Sequence, residues 1–146
     1  MTLNKYAKVE QLLSNYKMLE ISIKNMKQEI EYIEKEDGMS GISYDGISTS
    51  PTNLCKSATE GIALSNMEKI HFLEHSIERA TRQIEKVDRA LEGLEEIEKQ
   101  IIKEKYINSR QWWQVAGIVK YSESWCKQLR SKAIKKLIIG IYGVEQ

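Results

Sequence analysis

Phenylalanine occurs once in this chain, proline once and cysteine twice, and each shortage removes a class of design. The two thiols, Cys55 and Cys126, have neither a CxxC spacing nor a neighbouring histidine, so the sequence offers no disulfide framework and no zinc knuckle. That usage fits a reducing compartment, and a cytoplasmic protein is expected. A single proline, Pro51, leaves long stretches in which nothing interrupts a helix. No alternation of apolar and polar residues runs far enough to make a useful strand. The richest apolar stretch, Leu137 to Val144, is too short to span a bilayer, and no signal core is evident, so no membrane partner is expected. Also missing are a Gly-rich phosphate loop, a GxSxG elbow and a Cys-His nucleophile pair. Neither enzymatic activity nor a cofactor is expected.

What is present is helix-forming and charged. With 146 residues there is room for one domain, or a small domain with an appendage, and too little for separate cofactor and substrate domains. Charged residues make up 29% and apolar residues 41%, the balance of a helix-rich chain with some extended charged helix. The formal net charge of +1 conceals an uneven division. Met1 to Glu98 carries 12 basic and 18 acidic residues, whereas Lys99 to Gln146 carries 10 basic and 3 acidic. The basic end is where an anionic partner would bind.

Near the amino terminus apolar residues recur in alternating steps of three and four: Val9, Leu12, Tyr16, Leu19, Ile23, Met26, Ile30 and Ile33. This is a heptad seam, with charged residues filling the other faces. It predicts a helix over about 3–37, ending near Asp37 and Gly38, where glycine supplies a left-handed cap. Residues 38–59 hold Gly38, Gly41, Gly46, the serines Ser40, Ser43, Ser48 and Ser50 among others, and Pro51, and read as a long loop. A second seam follows in Ile70, Leu73, Ile77, Ala80, Ile84, Val87, Leu91 and Leu94, predicting a helix over 60–93 that Gly93 brings to a kink. Two matched helices joined by a loop suggest an antiparallel hairpin on the order of 45 Å long. Either seam could instead pair with a second chain, and a homo-oligomer, with a dimer favoured, is expected.

From Leu94 the heptad is abandoned. Ile97, Ile101, Ile102 and Tyr106, then Trp112, Val115, Ala116 and Val119, then Cys126, Leu129, Ala133 and Leu137 mark three short amphipathic helices. Asn108 or Ser109 is expected to cap the second and Ser122 the third, with Lys120-Tyr121-Ser122 as the tight connection. The fold expected is therefore all-α: a heptad hairpin over 1–93, then a three-helix helix-turn-helix domain over 94–146. In such a domain the helix after the turn reads DNA.

Two other clusters read as surface. His71 and His75 are four apart, with Glu74 and Glu78 close by, but they lie outside the seam, lack the HExxH order and have no third ligand, so no metal site is expected. The carboxylates Glu92, Glu95, Glu96 and Glu98 read as a solvated face.

The runs Ile101-Ile102-Lys103-Glu104-Lys105-Tyr106-Ile107 and Trp112-Trp113-Gln114-Val115-Ala116, then Ser122 and Lys132-Ala133-Ile134-Lys135-Lys136-Leu137, resemble the region-four helix-turn-helix of sigma factors. More narrowly, the chain is similar to phage and prophage late-gene regulators of the ArpU and RinA type, to which its coiled start and Gly/Ser/Pro segment add a weaker likeness. It departs from the sigma pattern in carrying Lys120-Tyr121 where glycine often precedes the serine, and in the large Trp125, which would reach toward DNA or fold back on Trp113. The resemblance implies a transcriptional regulator in a bacterial host cell, with double-stranded DNA as partner and RNA polymerase as a candidate protein partner. It also implies that Ser124, Lys127, Gln128 and Ser131 face base edges, where Gln pairs with adenine and Lys donates to guanine, while Arg110, Lys120, Lys132 and Lys135 meet phosphates. Two alternatives remain: a DNA-packaging protein of the small-terminase kind, which would form a ring, and a coiled-coil adaptor that binds no DNA.

Overall fold

The computed structural model describes the backbone of residues 2–45 and 53–144, and the side chains of 4–36 and 65–144. Among these residues every regular element is helical: α1 (Thr2–Ser14), α2 (Tyr16–Asp45), α3 (Asn53–Glu92), α4 (Glu96–Ile102), a π-helical turn (Lys103–Ile107), α5 (Trp112–Val119) and α6 (Glu123–Tyr142). The protein is all-α. No helix among the described residues is long and apolar enough to cross a membrane.

Both long helices outrun their expected limits. The backbone stays helical through Asp45 and is helical again from Asn53, so much of the segment 38–59 expected as loop is helix. A glycine inside a helix costs about 1 kcal/mol, which does not stop propagation once the preceding turns have formed. The loop expected across residues 46–52 lies outside the described residues, as does the side chain of Cys55. Asn15 separates α1 from α2 by a single turn, across which Asn15 N–H donates to Gln11 O and Leu19 N–H to Asn15 O.

The chain forms two compact units, residues 21–81 and residues 1–20 with 82–146. In the first, α2 and α3 lie side by side, since Glu29 and Ile33 line one groove with Ser65, Glu68, Lys69, Phe72 and Leu73. Seam positions are the more buried ones on both helices: Ile33 and Ala80 are buried, and Ile23, Met26, Ile30, Ile70, Leu73 and Ile77 are half-buried. The charged residues between them are exposed, as amphipathic periodicity requires.

The other unit has two apolar cores that share α4 and α6. In one, Ile101 packs with Val115, Val119, Cys126 and Leu129, holding α4, α5 and the first half of α6 together. In the other, Val9 and Leu13 from α1 and Val87 and Leu91 from α3 meet Ile102, Tyr106, Ala133, Ile134 and Leu137. The boundary expected at 93/94 therefore divides residues that belong to one unit. Its cause is a second apolar stripe on the first helix, Tyr6, Val9 and Leu13, which is satisfied by α6 and the π-helical turn rather than by a coil partner.

Adjacent Ile101 and Ile102 are both fully buried, one in each core. A wider π turn follows, closed by Asn108 N–H donating to Lys103 O at 2.8 Å, and Tyr106, one turn after Ile102, is buried on the same side. At Gly93 the helix α3 gives out, as expected, and the chain turns into α4. Glu98 corrects the solvated-face expectation. It is buried, its Oε1 accepting from Glu95 N–H at 3.1 Å and from Lys136 Nζ at 2.8 Å. One carboxylate thus caps α4 and ties it to α6.

Candidate nucleic-acid interface

The connection between α5 and α6 is tight because Lys120 adopts a left-handed conformation, φ 63° and ψ 39°, with its N–H donating to Ala116 O. Ser122 then caps α6, its Oγ accepting from Trp125 N–H at 3.1 Å, and Glu123 sits in the first turn, where a carboxylate complements the helix dipole. The cap of α5 is not Asn108 or Ser109. Helix α5 begins at Trp112 under a capping box of Gln111 and Gln114, because the π turn and Ser109 at φ 55° take up the preceding residues.

Cys126, Leu129, Ala133 and Leu137 are buried along one side of α6. At 3.6 residues per turn the opposite strip is Ser124, Gln128, Lys132 and Lys135, and all four are exposed. Structure and expectation diverge at Ser131, which is half-buried with its Oγ 3.5 Å from the Tyr6 hydroxyl of α1. This residue faces protein rather than the outward strip. Lys120 is exposed beside the turn, whereas the guanidinium of Arg110 is ion-paired with Glu104, which offsets the charge it was expected to offer a phosphate. Trp113, Tyr121 and Trp125 are exposed around the turn.

Lys127 is exposed but turned toward a cluster that the sequence pattern concealed. Its Nζ lies 5.9 Å from the centre of the Trp112 ring, with Lys105 Nζ at 4.9 Å and Arg130 Cζ at 5.1 Å from the same ring. Arg130 donates to the Tyr106 hydroxyl at 3.2 Å, and that hydroxyl donates to Glu10 Oε2 at 2.7 Å. Burial pushes the Tyr106 phenol above its ordinary range; the Arg130 hydrogen bond opposes this and Glu10 adds to it. For Arg130 burial works against the charge, but the Tyr106 hydrogen bond and nearby Glu10 outweigh it and hold the guanidinium above its usual value. Burial, with the Glu123 charge, likewise raises the Cys126 thiol. The sequence signal for this cluster was the spacing of Lys127 and Arg130 on one turn of α6; Lys105 joins only through the π turn.

His71 and His75 are exposed, with His71 Nδ1 3.9 Å from Glu74, and no group of three metal-ligating side chains occurs among the described residues.

These features define an all-helical protein with a long helix that presents a polar and basic strip after a tight, serine-capped turn. A family model described as "Protein of unknown function (DUF722)" matches residues 5–138, and the chain belongs to that family. The match extends across both compact units. No curated protein and no solved structure matches the chain.

Proposed function

We propose that the chain is a sequence-specific DNA-binding transcriptional regulator of a phage or prophage, with α6 as its reading helix. The observation that carries this reading is the exposed strip Ser124, Gln128, Lys132 and Lys135 on the helix that follows the Lys120-Tyr121-Ser122 turn. It sits within a segment carrying 10 basic and 3 acidic residues. Gln128, with donor and acceptor together, suits the edge of adenine in the major groove, and Lys132 and Lys135 suit the flanking phosphates. The long helices α2 and α3 would serve self-association or contact with RNA polymerase, and a dimer would set the spacing of two half-sites.

Binding to fragments of the phage or host genome, followed by anisotropy titrations, tests this. Gln128→Ala is expected to cost about 1–3 kcal/mol on the selected site and little on random duplex. Lys132→Ala should weaken both alike and lower the slope of log affinity against log salt by about one unit. If neither change alters binding or promoter output in a folded protein, α6 is not the reader. A large ring in solution would favour a packaging role, and the absence of any salt-dependent binding would favour an adaptor.

A further inference from the structure

Three cations from two elements converge on one indole. Lys105 from the π turn and Lys127 and Arg130 from α6 all lie within 5.9 Å of the Trp112 ring centre, so no two of them are more than about 11 Å apart. A ring quadrupole attracts each cation but carries no net charge, so it leaves their positive charge uncompensated. Of the carboxylates nearby, Glu10 is held by Tyr106 and Arg130 and Glu104 by Arg110, while Glu123, one turn before Lys127 on α6, forms no ion pair with it. No carboxylate among the described residues ion-pairs with Lys105 or Lys127. Lys105 Nζ has only the neutral Arg110 carbonyl at 3.4 Å.

The geometry points to a phosphodiester cradle: Lys105 and Lys127, steadied over Trp112, grip a backbone phosphate of duplex DNA at the edge of the groove that Gln128 reads. Lys127 directly precedes Gln128 and is rotated about 100° around α6 from it. A duplex whose base edges meet Gln128 therefore brings its sugar-phosphate backbone past Lys127. The inference rests on the DNA-reading role proposed above and reassigns Lys127 from base edge to phosphate. Arg130, tied to Tyr106 and Glu10, positions the cradle rather than gripping the phosphate.

The test uses the full chain, the selected site and a random duplex, in chloride and in inorganic phosphate at equal ionic strength. Lys105→Ala and Lys127→Ala are each expected to weaken both duplexes by the same several-fold factor and to lower the salt slope by about one unit. Lys127→Arg should restore most of the loss, since a guanidinium serves a phosphate at least as well. Wild-type slope and affinity in both alanine variants, alongside a Gln128→Ala that still loses the selected site, overturn the cradle and leave the reading helix standing. A Lys127→Ala that loses only the selected site returns Lys127 to base reading and also overturns it. Inorganic phosphate that weakens DNA binding by wild type but not by the double alanine variant is competing for the cradle and supports it; phosphate that binds wild type and not the double alanine variant while leaving DNA affinity unchanged makes the ligand free phosphate, and the assignment to the DNA backbone falls. No binding of any duplex by wild type removes the cradle together with the function on which it rests.

Discussion

Leu13 is the sharpest test of the two-core arrangement, because nothing about a heptad seam requires it. It is one residue off the seam, on α1, and fully buried against α6, α3 and the π turn. Truncating such a leucine costs about 2–5 kcal/mol through lost transfer energy and the cavity left behind. With a urea dependence of about 2 kcal/mol per molar, a loss of about 3 kcal/mol lowers the unfolding midpoint by roughly 1.5 M. The assay is built into the chain, since all three tryptophans, Trp112, Trp113 and Trp125, lie in α5 and α6. Intrinsic fluorescence thus reports on the far side of the unit from the mutated helix. Leu13→Ala should shift the fluorescence transition by the full amount, whereas Met18→Ala, at a residue 67% exposed, should move it by less than about 0.5 kcal/mol. A Leu13→Ala protein whose tryptophans report an unchanged midpoint would falsify the shared core and return α1 to the coil.

Two further expectations concern the turn and the alkaline limb. Lys120→Gly places the residue best suited to a left-handed backbone at φ 63°, so thermal stability should hold or rise by about 1 kcal/mol, while affinity for every duplex falls with the lost charge; a clear drop in melting temperature contradicts this. The Tyr106 and Tyr16 phenols and the Cys126 thiol are raised chiefly by burial, so the unfolded chain releases their protons first and stability declines as pH rises past the ordinary thiol and phenol range. Tyr106→Phe should flatten that decline in denaturant titrations between pH 8 and 11, and an unaltered pH profile refutes the assignment.

The two seams, the Ser122-capped turn and the outward position of Ser124 and Gln128 on α6 were legible, because each depends on local spacing. Which surface a seam meets is not local. Tyr6, Val9 and Leu13 form a second stripe visible in the sequence, yet only tertiary packing shows that it is covered by α6. Glu98 was misread for a related reason: it stands four after Leu94 and four before Ile102, inside an apolar stripe, and a carboxylate there is stable only because Lys136 and the Glu95 N–H reach it. Ser131 and Lys127 looked equivalent to Ser124 and Gln128 on the helix; their neighbours, Tyr6 on α1 and the Trp112 ring, come from elements whose placement a single sequence does not encode in its periodicity.

The shared core also orders events in time as the chain is made. Tyr6 on α1 meets Ser131 on α6 across 125 residues of sequence. At a synthesis rate of about 5–20 residues per second, the stripe of Val9 and Leu13 leaves the ribosome roughly 6–25 s before the helix that covers it. During that interval α2 and the first part of α3 can pack together through their own seams while the basic unit is still missing its closing helix. The apolar side of α1 is then the part of the nascent chain most exposed to chaperones or to a second nascent copy.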